Sequence, residues 1–169
     1  MSVQSLFLTA SVAKFRHSTA RIATCLGKLT DDQIWARGHQ TETAVGNLVL
    51  HLSGNVRQWI ISGLGGAADI RVRDREFSTR TGMSQAELIG MLQSTVEEAC
   101  TVISGLTEEQ LTQDHTIQDR AVNGVEALLQ VVTHFGEHTG QIIFATKNLT
   151  GEDLGLWSPK NAGSRPASA

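Results

Sequence analysis

Tyrosine is missing altogether from the 169-residue chain. That removes a phenol as proton donor or nucleophile. Proline is absent from residues 1–158, because both prolines, Pro159 and Pro166, fall near the end. Proline breaks helix interiors, so that span suits long uninterrupted helices. Cysteine is scarce. Cys25 and Cys100 sit singly among apolar residues at helical spacing, which is no metal-binding pattern and reads as buried, reduced thiols of a cytoplasmic protein. There is no basic excess either, with 14 Lys and Arg against 17 Asp and Glu and a net charge of −3. Without spare cations to neutralise phosphates, nucleic acid is not the expected partner. No apolar run approaches a membrane span, so a membrane is not expected either. Residues 1–30 hold Lys14, Arg16, Arg21 and Lys28 and no acid, a faint likeness to a transit peptide. They lack the apolar core of a secretory signal, and we read them as the first helix of the fold.

What is present is helical periodicity. Four long segments carry apolar residues at helical spacing: about 3–28, 43–64, 84–104 and 125–148. The second stops at Gly63, Gly65 and Gly66, and the third starts at Ser84 with Glu87 three residues on, a capping box. Polar segments at 67–83 and 107–123 separate the middle helices from their neighbours. Residues 1–157 are expected to form one helical domain. Residues 158–169, rich in Ser, Pro, Gly and Ala, are expected to be a flexible tail.

The chain also repeats itself. Leu29-Thr30-Asp31-Asp32-Gln33-Ile34 returns as Leu106-Thr107-Glu108-Glu109-Gln110-Leu111, an offset of 77 residues. Both copies are Thr-x-x-Gln capping boxes with acids in the first turn. His51-Leu52-Ser53-Gly54-Asn55-Val56-Arg57-Gln58-Trp59-Ile60 aligns with residues 134–143 at an offset of 83. The six-residue difference is a loop insertion. Two pseudo-symmetric helical hairpins, about 1–66 and 84–150, make a four-helix bundle with one long crossover.

His134 and His138 stand four apart on the last helix. At about 100° per residue both rings point the same way from the edge of its apolar face. Two convergent imidazoles suit a divalent transition metal, which needs a further ligand. The repeat supplies it: His51 occupies on the second helix the place His134 occupies on the fourth. Three neutral histidines leave coordination positions for water or substrate, the pattern of a catalytic rather than a structural site. Asn55, Gln58, Gln130 and Gln141 flank the histidines at helical spacing and are candidates to line a pocket. Asn55 stands where His138 would be. Gly136 and Gly140 fall on the opposite side of the last helix, where they permit close approach of a neighbouring helix or a second subunit. His17, His39 and His115 have no partner at helical spacing and are assigned to surface or loop roles.

His134-Phe135-Gly136-Glu137-His138 also reads as H-x-x-E-H, the inverted zinc-protease signature. Only Glu152 and Asp153 follow as acids, close behind in a loop, and that reading leaves His51 unexplained. Glu137 is the weak candidate for a general base and otherwise faces solvent or orients an imidazole. The arginines of Arg71-Val72-Arg73-Asp74-Arg75-Glu76-Phe77 can either clamp an anionic substrate or form a solvated crossover loop with internal ion pairs; we favour the solvated loop.

A histidine in the second helix, then H-x-x-x-H-x-G-Q-I near the end of a helical chain, resembles the DinB-like superfamily of metalloenzymes. The phrases Leu-Thr-Asp-Asp-Gln and Val-Leu-His-Leu-Ser-Gly-Asn resemble it too, and the likeness covers about residues 1–150. The resemblance implies an all-α, up-down-down-up bundle, a divalent metal such as nickel or zinc on His51, His134 and His138, and a homodimer. It also implies an enzyme that transfers a low-molecular-weight thiol to an electrophile. A metal-assisted hydrolase acting on a small-molecule substrate and a non-catalytic metal-binding stress-response protein are the alternatives.

Overall fold

Apolar spacing and end signals together fix the four long helices. The computed structural model describes residues 2–157; the expected flexible tail, 158–169, lies outside the described residues. Helix α1 spans Val3–Leu26, with Ser2 as its N-cap. A short α2, Asp31–Trp35, follows. Helix α3 spans Val45–Val56 and continues without a break as a π-helical stretch, Arg57–Leu64. The crossover carries α4, Arg73–Ser78. Then come α5, Gln85–Ser104, and short α6, Glu108–Thr112. A hairpin of β1, Asp114–Ile117, and β2, Arg120–Asn123, leads into α7, Gly124–Thr150.

The long helices run up-down-down-up, as side-chain pairs along them show. Gln85 at the start of α5 donates to the Leu26 carbonyl, and Gln4 near the start of α1 donates to Leu106, beyond the end of α5. So α1 and α5 are antiparallel. Phe15 meets Phe135 edge-on with ring centroids 5.3 Å apart. Lys28 pairs with Glu152 just past α7, so α1 and α7 run parallel. Arg57 bonds Glu98, and Val102, near the end of α5, lies against Gly65, just past the π-helical stretch. Hence α3 and α5 also run parallel. Helices α1 and α3 stand diagonally across the bundle, each packed between α5 and α7. The core between them is apolar and fully buried at Phe15, Ile22, Leu52, Leu92, Leu128 and Phe135.

The internal repeat is visible as structure. Both Thr30–Gln33 and Thr107–Gln110 form complete reciprocal capping boxes, each stabilising its helix start by about 1 kcal/mol. Each box opens a short helix that packs against the next long helix, α2 on α3 and α6 on α7.

The two polar segments are more ordered than their composition suggests. Asn47, fully buried on α3, donates from Nδ2 to the carbonyls of Glu76 and Thr79 at 2.7 and 2.8 Å. That satisfies the end of α4 and pins the crossover against α3. Segment 114–123 is a two-residue hairpin in which Gln118 and Asp119 both hold positive φ, 52° and 60°. This matches the twist that tight hairpins require, although neither residue is glycine.

Candidate metal centre

His51 faces α7 from α3, and His134 and His138 face α3 from α7. Their ring nitrogens converge, with one ligand atom from each within 4.8 Å of the others. The Nε2 atoms of His51 and His134 are 2.8 Å apart. Nitrogens bound at about 2.0–2.1 Å around a tetrahedral metal stand about 3.3 Å from each other, so small ring rotations bring this set onto one ion.

The outer nitrogens are held by acceptors. His51 Nδ1 lies 2.9 Å from Glu76 Oε2 and 3.2 Å from an Arg71 amine. A guanidinium only donates, so the carboxylate accepts the hydrogen bond from Nδ1–H, and Nε2 is the nitrogen that faces the cluster. His138 Nδ1 donates to Gln141 Oε1 at 2.7 Å, with the same result. Outer-shell acceptors of this kind fix ring orientation and raise ligand basicity.

Glu76 is itself clamped. Arg71 reaches both of its oxygens, Nε to Oε1 at 2.7 Å and an amine to Oε2 at 2.8 Å. The two side chains are only 3% and 9% exposed. Burial pushes the Glu76 carboxyl up, but the hydrogen bonds and charges of Arg71 and His51 outweigh it and hold the group below its ordinary value. Gly54 makes room: a Cβ there would collide with Glu76 Oε1. His51 also packs against Phe77, with ring centroids 4.9 Å apart. Burial, then the charges of His138, His51, Arg71 and Arg73, lower His134 to about 4. Burial likewise lowers His138, against the upward pull of its Gln141 bond. Both rings are therefore neutral at pH 7, the form that ligates.

Beside His51 and His134 opens a cavity of about 170 Å³ lined by Asn55, Trp59, Arg73, Gln118, Arg120 and Gln130 among others. Asn55 and Gln130 thus take the lining positions their helical angles suggest. Gln58 does not line it. Gln58 bonds Asp69, Arg71 and Gln118 and braces the arginine instead. Gln141 orients His138 rather than facing the cavity. Glu137 is largely exposed, its carboxylate 4.0 Å from His134 Nδ1. Gly136 and Gly140 have nothing within 4 Å of an added Cβ, so no helix among the described residues approaches them. Both cysteines are free and buried. His115 bonds the Gln110 carbonyl and His39 the Thr41 hydroxyl, away from the centre.

The favoured reading of the crossover as a solvated loop with internal ion pairs holds for the pair of Arg71 with Glu76 and is corrected in its solvation, since both side chains are buried. Sequence reasoning placed Glu76 in that segment but missed its contact with His51. An Arg-x-x-x-x-Glu pair in a polar segment gives no helical phase relative to His51, and the contact arises only when the crossover folds back onto α3. No apolar alternation marks the hairpin that brings Gln118 and Arg120 to the cavity: Asp114–Ile117 ends in a single apolar residue and Arg120–Asn123 holds two side by side.

A bundle of this topology with histidines converging from its second and fourth long helices has the DinB-like fold. A DinB-like protein of Bacillus subtilis superposes with a TM-score of 0.65 at 19% identity, covering 85% of this chain and 94% of that one. One from Bacillus cereus gives 0.66 at 17%, covering 88% and 93%. A conserved protein from Enterococcus faecalis gives 0.73 at 16%, covering 90% and 99%. The chain belongs to the family described as a protein of unknown function (DUF1572), whose model matches residues 2–161. No curated protein matches it.

Proposed function

We propose that the protein is a divalent-metal-dependent enzyme, with nickel or zinc on His51, His134 and His138, and that it transfers a low-molecular-weight thiol to a small electrophile. The observation that carries the metal is the convergence of three imidazoles, two with their outer nitrogens already engaged by acceptors. The donor set of imidazoles alone suits nickel or zinc better than calcium or magnesium, which take oxygen. When bound, such an ion lowers the pKa of a coordinated thiol or water and so supplies a nucleophile at neutral pH.

The rest of the proposal falls to the chain's own groups. Glu76 and Gln141 hold the rings in register. Asn55 and Gln130 offer amides to orient the substrate, and Trp59 walls the cavity from the core. In the transfer, the thiol sulfur forms a bond to the electrophilic carbon. The leaving group departs with its bonding electrons, and the thiol proton goes to solvent. No carboxylate lines the cavity among the described residues, which favours this reading over hydrolysis, where a general base would be needed at a bound water. The same proposal takes the protein as a cytoplasmic homodimer; sedimentation at the mass of one protomer would remove the dimer.

The test is metal content of the purified protein and of His51→Ala, followed by conjugation of bacterial thiols to monochlorobimane. The expected result is about one ion per chain in the wild type, loss in the variant, and conjugation only with metal. Full occupancy in His51→Ala removes the three-histidine site. Occupancy without conjugation of any thiol removes the transferase.

A further inference from the structure

The cavity beside the histidines is cationic as well as small. Arg73 and Arg120 both line it. They come from different elements, α4 and the hairpin strand β2. Neither lies within ion-pair distance of a carboxylate among the described residues, whereas Arg71 beside them is neutralised by Glu76. Arg73 is held in place by stacking on Phe77, 4.9 Å from guanidinium carbon to ring centroid, and Phe77 packs in turn on His51. Arg120 is carried by a turn whose two central residues hold a left-handed backbone, a costly conformation for side chains other than glycine. Strain of that kind persists where the surroundings fix it, often at binding sites.

A second observation points inward. Asn55 is only 9% exposed, lines the same cavity, and its carboxamide has no hydrogen-bond partner among the described residues. The amide is not sealed in the core but reaches the cavity, where it is free to bond a bound molecule. Two unpaired guanidinium groups at the mouth and one unpaired amide near the imidazoles define a polarity along the cavity.

We infer that the site accepts a small substrate bearing an oxyanion, a carboxylate or a phosphate, gripped by Arg73 and Arg120 with its reacting end against Asn55 and the histidines. This rests on the site being the metal-dependent one proposed above. Guanidinium groups bind either oxyanion through paired N–H donors. A volume of about 170 Å³ admits a head group of a few non-hydrogen atoms and leaves any larger body of the substrate outside.

Succinate, inorganic phosphate and uncharged succinamide are titrated calorimetrically into metal-loaded and metal-free wild type, Arg73→Gln, Arg120→Gln and Asn55→Ala, with metal content read on the same samples. Arg73 and Arg120 are exposed on their elements, so their variants are expected to fold; circular dichroism checks this. The expected result is one succinate or phosphate per chain, weakened about tenfold or more by either arginine variant with metal content unchanged, and no binding of succinamide. Which anion binds more tightly identifies the head group. Equal affinity in the arginine variants, succinamide binding as well as succinate, or no anion binding overturns the inference. Metal bound without any anion leaves the metal reading standing and removes this one. Arginine-dependent anion binding by a protein that takes up no metal does the reverse.

Discussion

Glu76 decides more at this site than any residue except the ligands. Its carboxylate joins His51 to Arg71 in a setting where neither charge reaches bulk water. Glu76→Gln removes the charge while keeping the shape and leaves the Arg71 guanidinium buried and unpaired. Losing one partner of a buried pair costs about 3–5 kcal/mol, and losing an outer-shell carboxylate costs about 10–100-fold in metal affinity. A urea midpoint and metal affinity both unchanged in this variant would rule that out. Gly54→Ala carries the argument one step further from the metal. The new methyl collides with Glu76 Oε1, so it is expected to weaken metal binding though it touches no ligand; competition against a chromogenic chelator reads it. Asn55→His tests the vacancy in the pseudo-symmetry. A fourth imidazole closes the coordination sphere, so metal is held at least as tightly while any turnover is lost. An active Asn55→His protein would show that the open position lies elsewhere.

At the scale of elements, the crossover and the hairpin complete the site that the long helices begin. The hairpin turn is testable by itself. Asp119 at φ 60° is the second central position of a turn that prefers glycine there. Asp119→Gly is therefore expected to raise stability by up to about 1 kcal/mol, read as a higher urea midpoint with an unchanged slope. A lower midpoint would mean that Asp119 makes contacts that outweigh its backbone strain. These two elements are also where the sequence was least legible. The long helices were readable because apolar spacing, glycine stops and capping boxes all agree on them. The histidine cluster was readable because a helix fixes angles, so His51, His134 and His138 could be placed on faces without knowing the fold. Glu76, Arg73 and Arg120 sit on short elements with no such periodicity, and their positions depend on Asn47 and Gln58 catching the crossover.

For the whole molecule, the lowered histidines make stability depend on pH. Folded His134 titrates at about 4 against an ordinary 6.5. Below pH 6.5 the unfolded chain therefore binds a proton that the fold refuses, and unfolding gains ground until about pH 4. Over that window the metal-free protein is expected to lose up to about 3 kcal/mol from this one group, and His138 acts in the same direction. Glu76, whose folded value is depressed, contributes stability that is present above its unfolded value and lost as pH falls through its folded one, so it adds to the decline only at the acid end. Urea midpoints of metal-free protein at pH 7, 6 and 5 should fall in order, and His134→Gln should flatten the series; an equal slope in that variant would assign the loss to other groups. The π-helical stretch has a consequence of another kind. Its Gly65 amide reaches back to Ile60, five residues away, at 2.9 Å, where an α-helix reaches four. Beyond Val56 the aligned halves still share two letters, Gln58 with Gln141 and Ile60 with Ile143, but the two glutamines no longer have matching neighbours. Gln141 meets a histidine, and Gln58 meets Arg71. A graft of residues from one half into the aligned positions of the other would therefore set the shared glutamine beside a different partner once past Val56.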